Sequence, residues 1–231
     1  MGKVAELASG YGGWLGAWKA FGADAFMSDD EIKTSILRWR DESPMIVEFW
    51  GGQQRRTARG WVPEFFGLEG AAVEAVLRPG VECRYRSIGF VKTGDALYCS
   101  LPSGRYLTYH RPRLTPSERR PGTWDMSYEG WNTNPNNGAR GWVRMQTYGG
   151  RLCENVTQAV ARDIQRHAIV AHERAGYLIV LHVYDENVAE VPEGFGSLAE
   201  FEKIMATPPA FAAGWPIRAE GGWRGRRYRK G

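Results

Sequence analysis

The sequence predicts an α+β fold in which helices come first and antiparallel hairpins follow. Apolar residues recur at helical spacing through residues 2–80, whereas later runs alternate like strands around residues 102–104 and around the adjacent carboxylates Asp185 and Glu186. The chain has 231 residues, of which 43% are hydrophobic, so it is long enough for one large domain or two small ones.

A helix is predicted at the very start of the chain. Lys3, Leu7, Tyr11 and Leu15 recur every four residues, on one slowly drifting face. The helix begins without a capping residue, which indicates an element that should be longer.

Further helices are predicted from their start signals. Ser28 is an N-cap followed by three acidic residues, Pro44 suits the first position of the next helix, and residues 68–80 form another that ends at Pro79-Gly80. Residues 51–60 are interpreted as a polar connector.

Strand signals dominate the middle of the chain. Residues 96–112 contain two alternating runs and predict a hairpin. Residues 115–141 are rich in Pro, Asn, Gly and Arg and predict a long loop. A helix is then predicted over residues 153–175 with Gly176 as its C-cap, and a short helix starts at the N-cap Ser197.

Charge and targeting signals limit the class of protein. The net charge is +4, and the basic tail of residues 223–231 interleaves cations with Trp223 and Tyr228. Such a tail suits nucleic-acid contact but is equally typical of a solvated terminus. The sequence has no signal peptide and no apolar run of transmembrane length, so a cytoplasmic location is expected.

The cysteines and histidines give no metal motif. The three cysteines are widely spaced, which argues against both a disulfide framework and a zinc site. His167 and His172 are five residues apart, so we expect solvated helix residues. Arg162 and Asp163 are interpreted as a local surface ion pair of little energetic weight.

The stretch LHVYDENVAEV places two adjacent carboxylates, Asp185 and Glu186, between apolar runs. Two interpretations stay open from the residues alone. The pair forms the solvated turn of a hairpin, or it forms a metal site mounted on a rigid hairpin.

Four segments in order resemble the C-terminal part of family A DNA polymerases, the DNA polymerase I type, and most closely its phage members. KVAELASGYGG resembles the second half of the fingers helix. TYGGRLCENVTQAVARD resembles the helix before the catalytic hairpin, LHVYDENVAEVPEGFGSLAEF that hairpin, and PIRAEGGWRGRRYRK the C-terminal end. The resemblance extends from Gly2 to Lys230 and is weakest over residues 51–66 and 115–140.

The resemblance implies roles for the residues that match the motifs. Asp185 and Glu186 match the catalytic carboxylates, with Asp185 a ligand of Mg²⁺. Lys3 matches the lysine that holds the nucleotide phosphates, and Tyr11 the tyrosine near the templating base. Leu7 stands where the family often has Phe or Tyr beside the sugar, which implies altered sugar discrimination.

Contacts to primer–template DNA are implied for Arg151, Asn155, Gln158 and His182. Here Gln158 follows Asn155 by three residues where the family pattern has four, so Glu154 is an alternative for the middle position. The family usually has His directly before the catalytic Asp, and Tyr184 stands there instead.

The resemblance also implies a partial right hand, with helical fingers over residues 1–140 and, over residues 141–231, a palm part whose antiparallel hairpin packs on helices. The family's thumb, the Arg that opens the fingers motif and the motif with the other catalytic Asp precede this region. We therefore expect a separate polypeptide to supply them, and exposed apolar surface where the missing palm strands would pack.

Three hypotheses follow from the sequence. The chain is a polymerase part that is active with deoxynucleoside triphosphates and Mg²⁺ only when complemented, a non-catalytic DNA-binding remnant, or an inactive fragment. No exonuclease motif is present, so no proofreading is expected from this chain.

Overall fold

The computed structural model describes residues 2–133, 138 and 140–228. The chain forms two compact units, Met1–Thr157 and Gln158–Gly231. The predicted α+β class is confirmed, because helices and antiparallel sheets both occur. The two compact units do not test the assignment of residues 1–140 to the fingers and residues 141–231 to the palm, which stays a prediction.

Helices open the first unit: α1 (Gly2–Ser9), α2 (Leu15–Ala20), α3 (Asp29–Glu42) and α4 (Pro44–Trp50). The start of α3 is confirmed as a capping box, in which the Ser28 side chain accepts from the backbone N–H of Glu31 and the Glu31 carboxylate accepts from that of Ser28. Apolar faces of these helices enclose a small core: Ala8, Trp18, Ala23, Ile32 and Ile36.

Residues 51–60 are not a connector, and that prediction is wrong. Strand β1 (Gly52–Thr57) pairs with the antiparallel strand β2 (Gly60–Phe66). Much of this hairpin faces solvent, and Arg55 forms an ion pair with Glu64 at 2.9 Å between Nε and Oε2. Strand β1 is polar along its length (GQQRRT), so the apolar alternation that identifies a strand in a sequence is missing from it.

Helix α5 (Gly67–Leu77) packs on a six-stranded antiparallel sheet among the described residues. The strands follow one another in space in chain order: β3 (Cys83–Tyr85), β4 (Ile88–Thr93), β5 (Ala96–Ser100), β6 (Tyr106–Pro116), β7 (Trp124–Asn132) and β8 (Gly141–Thr147). The inner face is buried, with Phe90, Leu97 and Cys99 fully enclosed. Burial raises the pKa of the Cys99 thiol to about 12.

The predicted loop at residues 115–141 is wrong where strands occur in it, and residues 134–137 and 139 of that range lie outside the described residues. Strand β6 continues to Pro116, and β7 fills the centre of the range and pairs with both neighbours. Trp124, Met126 and Tyr128 alternate with polar residues as a strand requires, but the Pro-, Asn-, Gly- and Arg-rich composition of the whole range was given more weight than this short pattern. Backbone pairing on both sides holds the strand.

Helix α6 (Gly149–Arg174) confirms the helix predicted at residues 153–175 and begins four residues earlier. It passes from the first unit into the second. The second unit also contains the hairpin of β9 (Leu178–Val183) and β10 (Glu186–Glu190), followed by α7 (Leu198–Ala206). The Ser197 side chain caps α7 as predicted, accepting from the Glu200 N–H at 3.1 Å.

Two polar residues of α6 are buried, contrary to prediction. His172 is fully enclosed and stacks on Phe201 with ring centroids 3.8 Å apart. Its Nε2 donates to the Phe201 carbonyl at 2.9 Å. Asp163 is 5% exposed, so it is not a surface residue. Helix α7 was predicted, but its packing on His172 through Phe201 was not indicated by the sequence.

No helix in the described part of the chain combines the length and apolar character that crossing a bilayer requires.

Candidate functional site

The predicted nucleotide-binding residues lie at the start of the first unit. Lys3 and Leu7 are one turn apart on α1, and both are exposed. The four-residue spacing predicted that Tyr11 shares this helix face, and that is wrong, because α1 ends at Ser9. Tyr11 lies in the turn that follows, and it is half-buried.

Two side chains that the sequence did not indicate hold this turn. The indole Nε1 of Trp50 donates to the Gly10 carbonyl at 2.8 Å. The Arg40 guanidinium donates to the carbonyls of Gly12 and Gly13 at 3.3 Å and 3.2 Å. Its cation also lies over the Trp50 ring, 5.6 Å from the centroid. The backbone around Tyr11 is therefore fixed by residues about 30–40 positions away.

A buried carboxylate anchors the beginning of α6. Glu69 of α5 accepts from the Gly149 N–H at 2.9 Å, from Gln53 Nε2 at 2.9 Å and from Arg120 Nη2 at 3.2 Å. A negative charge at a helix N-terminus is favourable, and the three donors compensate its burial. Glu69 thereby joins β1, α5 and the start of α6.

The turn and the start of α6 lie against each other. A Cβ placed on Gly150 would collide with the Tyr11 carbonyl oxygen, and one on Gly12 would lie 3.5 Å from the Gly150 Cα. Burial is the largest cause that raises the pKa of the Tyr11 hydroxyl, and the nearby Cys153 and Glu154 raise it further. The structure thus brings Tyr11 close to the part of α6 that carries the predicted DNA contacts.

Arg151, Asn155 and Gln158 fall at spacings of four and three on one helix, so they share a face of α6. Arg151 donates to the Gln146 carbonyl at 3.2 Å, and Asn155 Nδ2 donates to the Tyr109 hydroxyl at 3.2 Å. Arg151 and Gln158 are exposed. The shortened spacing of Gln158 therefore keeps all three side chains on one stripe.

The predicted carboxylate hairpin is present in the second unit, with one correction at its tip. Val183 pairs with Glu186, so the two-residue turn is Tyr184-Asp185, and Glu186 begins β10. Tyr184 has a φ of +50°, as the tight turns of such hairpins require. Asp185 projects from the tip and is exposed, whereas His182 lies on β9, also exposed.

Contacts from α6 and from the tail hold the hairpin. Gln165 Nε2 donates to the Glu186 carbonyl and to Asn187 Oδ1, both at 3.4 Å. The Tyr228 hydroxyl donates to Glu186 Oε2 at 3.1 Å. Burial and this bond to Glu186 raise the pKa of Tyr228. The sequence did not indicate either contact.

The carboxylates at the hairpin tip are of the kind that binds Mg²⁺, but two carboxylates are too few to complete a metal site. Asp185 and Glu186 offer carboxylate oxygens, which Mg²⁺ prefers. Within the described residues, no group of three or more His, Cys, Asp or Glu side chains is arranged to hold a metal ion. The two carboxylates therefore need further ligands.

The basic tail is partly described. Arg224 donates to the carbonyls of Gly196 and Phe195 at 3.1 Å and 2.8 Å, while Arg226 and Arg227 are exposed. Arg229 and Lys230, which the sequence analysis included in this tail, lie outside the described residues.

The predicted site residues are distributed over both units. Lys3, Leu7, Tyr11, Arg151 and Asn155 belong to the first unit. The second unit contains the rest: Gln158, His182, Asp185 and Glu186.

Comparison with known proteins supports the resemblance seen in the motifs. No family model matches the sequence, and no solved structure matches it. The chain is 36% identical over 221 residues to a protein named DNA polymerase from Bacillus phage SP02. The match covers 95% of this chain and 31% of the relative, so the chain spans about a third of the relative's length. Along nearly its whole length, the chain is similar to part of a phage DNA polymerase.

Proposed function

We propose that this chain is the C-terminal portion of a family A DNA polymerase and contributes to template-directed DNA synthesis. The observation that carries the proposal is the similarity to a phage DNA polymerase along 95% of the chain. The order of the four motifs supports the family and the C-terminal position. In this proposal residues 1–140 belong to the fingers and residues 141–231 to the palm of a right hand.

Asp185 and Glu186 are the proposed catalytic carboxylates, with Asp185 a direct ligand of Mg²⁺. The ion, when bound, stabilises the attacking and leaving oxygens of nucleotidyl transfer. A two-residue turn between paired strands is a stiff mount that presents the Asp185 carboxylate to solvent. The Tyr228 hydroxyl, which donates to Glu186, orients that second carboxylate.

The first unit holds the incoming nucleotide and part of the DNA in this proposal. Lys3 offers an exposed cation for the phosphates, and Leu7 lies one turn further along the same face. Tyr11 contacts the templating base from a turn that Trp50 and Arg40 keep rigid. Rigidity here is useful because a small displacement of a positioning group costs catalytic rate.

Arg151, Asn155, Gln158 and His182 are the proposed contacts to primer–template DNA. The first three share one face of α6, so they can follow the DNA backbone and minor groove. Their polar groups position the duplex without reading its sequence.

In this proposal a separate polypeptide carries the thumb and the other catalytic Asp. That Asp completes the metal site begun by Asp185 and Glu186. The exposed apolar residues of β9 support this. Leu178, Val180 and Leu181 are 57%, 53% and 44% exposed on a two-stranded sheet. Apolar side chains grouped on an open strand are typical of a surface that another element covers.

Primer extension tests the proposal. The chain is incubated with a primed template, the four deoxynucleoside triphosphates and Mg²⁺, alone and with a polypeptide corresponding to the part of the phage relative that it does not match. We expect extension in the complemented reaction. Asp185→Asn should lower its rate by about 100-fold or more, because it removes a charged metal ligand.

A matched control separates catalysis from folding. Glu190→Gln removes a carboxylate from the exposed far end of the same hairpin and should leave extension unchanged. Equal activity of Asp185→Asn and the unaltered chain would contradict the catalytic role.

A DNA-binding role without catalysis is the second candidate. The exposed Arg151 and Gln158 on α6 and the exposed Arg226 and Arg227 of the basic tail favour it. Binding to primer–template without extension under any complementation would support this candidate against the first.

A further inference from the structure

The six-stranded sheet has a second, solvent-facing side, which we call the outer face. Residues paired across antiparallel strands share a face, so the register defines it. Tyr98 pairs with Thr108 and His110 with Glu129; Glu129 pairs with Arg144, and Trp131 with Trp142. Neither α5 nor the buried inner residues lie on this side, since neighbouring positions along a strand point to opposite faces.

The outer face carries more aromatic surface than an ordinary solvent-exposed face. Trp142 is 59% exposed, Tyr106 57%, Trp131 56% and Tyr98 37%. The aromatic rings adjoin one another, with centroids 6.2 Å apart for Trp131 and Trp142 and 5.4 Å for Trp142 and His110. The solvent face of an antiparallel sheet is normally polar, so this concentration of aromatics is characteristic of a binding surface.

Cations border the aromatic row. Arg144 lies two residues after Trp142 on the same strand and face, about 7 Å along it. Arg144 and Arg111 both pair with Glu129, at 3.0 Å and 2.9 Å. Arg113, also on the outer face opposite Ser127, is exposed and has no carboxylate partner among the described residues.

A cavity of about 260 Å³ lies among these cations. Its ionisable lining consists of four cations and two acids: Lys92, Arg111, Arg113, Arg144, Asp95 and Glu129. Because the four cations outnumber the two acids, the lining carries a net positive charge. A basic cavity beside open aromatic rings suits a ligand with both phosphates and planar rings.

We propose that the outer face binds single-stranded nucleic acid, with bases stacking on Trp131, Trp142 and Tyr106 and phosphates lying against Arg113 and Arg144. Every base has a flat face that stacks on an aromatic side chain, whereas a duplex keeps those faces inside its own stack. Guanidinium groups suit phosphate oxygens, and the net positive cavity complements a polyanion. The surface is distinct from the residues proposed above for catalysis and for duplex contact.

The experiment measures binding of a short fluorescent oligodeoxythymidine by anisotropy, without Mg²⁺ or nucleotides. We expect the double variant W131A/W142A to bind about tenfold or more weakly, because two stacking platforms are lost. Trp61→Ala is the matched control: Trp61 is 66% exposed but lies on β2, outside this sheet, and its loss should leave affinity unchanged. Trp142→Phe keeps an aromatic ring and should retain most of the affinity.

The charge contribution is measured separately. Arg113→Ala should lower the slope of log affinity against log salt by about 1, since one phosphate contact is lost. Arg59→Ala removes an exposed arginine from the turn between β1 and β2 and should leave the slope unchanged. Unlabelled duplex should compete poorly, and oligouridine competition tells whether the face also accepts RNA.

The location of binding has a direct readout. Photo-crosslinking of iododeoxyuridine oligonucleotides should modify peptides containing Trp131 or Trp142. Wild-type affinity of the double variant, or equal loss in W61A, would overturn the proposal and leave the outer face as a protein-contact surface. Asp185→Asn should bind the oligonucleotide normally, so failure of primer extension and failure of this proposal are distinguishable.

Discussion

The six-stranded sheet and the β9–β10 hairpin are both antiparallel, yet they are stabilised differently. In the sheet, α5 covers the inner face and encloses Phe90, Leu97 and Cys99. In the hairpin, Leu178 and Val180 of β9 remain more than half exposed. The large sheet therefore forms much of its own core, whereas the hairpin depends on its turn and on polar contacts such as that of Gln165.

The two β-regions differ in how much apolar surface they bury. A strand with a buried face gains stability from apolar area removed from water, about 25 cal/mol per Å². A two-stranded hairpin with exposed apolar residues gains little of it and is marginal by itself. The region proposed for catalysis thus lies on the element with the smaller core, which is consistent with the proposal that other polymerase sequence covers it.

The largest contrast is expected from truncating one apolar side chain in each region. Phe90→Ala should lower the free energy of unfolding by about 3–5 kcal/mol, because it leaves a cavity in the inner face. Val180→Ala should change it by less than about 0.5 kcal/mol, since the side chain is mostly in water. Urea denaturation of both variants measures this. A comparable cost at both sites would show that the hairpin is as well packed as the sheet.

A smaller effect is expected from pH. Burial lowers the pKa of His172 in the folded chain below its ordinary value of about 6.5. Above that value the imidazole is neutral in both states; as pH falls through it, the unfolded chain takes up the proton more readily, so stability falls. Amide hydrogen exchange over residues 158–228 should therefore speed up, relative to its intrinsic rate, between pH 7.5 and pH 5.5.

Two variants test the role of His172. His172→Gln should flatten the pH dependence of protection in the second unit. His167→Gln changes a half-buried histidine on the same helix and should leave the dependence in place. A steep dependence that survives in H172Q would assign the titration to another group.

The smallest effect is expected at the hairpin tip. Tyr184 is 90% exposed with φ +50°, so it contributes a left-handed conformation and little packing. Tyr184→Asn should stabilise the hairpin by about 0.5–1 kcal/mol, because Asn tolerates this conformation better. Arg86→Asn, at φ +53° between β3 and β4, is the counterpart in the large sheet and should give a similar gain. Amide hydrogen exchange of each hairpin measures the change in stability caused by each variant. Stabilisation by Arg86→Asn but not by Tyr184→Asn would contradict a tight turn at Tyr184.

Elements with strong local signals were predicted well. Ser28 and Ser197 cap α3 and α7 as expected, and the carboxylates follow β9 at a hairpin. Elements with a weak or conflicting local signal were predicted poorly. The polar strand β1 was assigned to a connector, β7 was assigned to a loop from the composition of its surroundings, and His172 was placed in solvent.

The candidate site divides in the same way. Asp185, Glu186, Lys3 and Arg151 were predicted from their match to the motifs of the family that the chain resembles. The anchoring role of Glu69 at Gly149, and of Trp50 and Arg40 at the Tyr11 turn, was not indicated. Each of these contacts joins residues at least 27 positions apart. The spacing of residues along the sequence does not indicate which distant residues come into contact.

The sequence by itself determined the α+β class, the caps, the carboxylate hairpin and the similarity to a phage polymerase, because these depend on neighbouring residues or on ordered motifs. Only the tertiary structure decided the six-stranded sheet, the burial of His172 and the aromatic outer face. Burial depends on which parts of the chain meet in space, as where Phe201 packs on His172, and that is set by the packing free energy of the whole chain rather than by local preference.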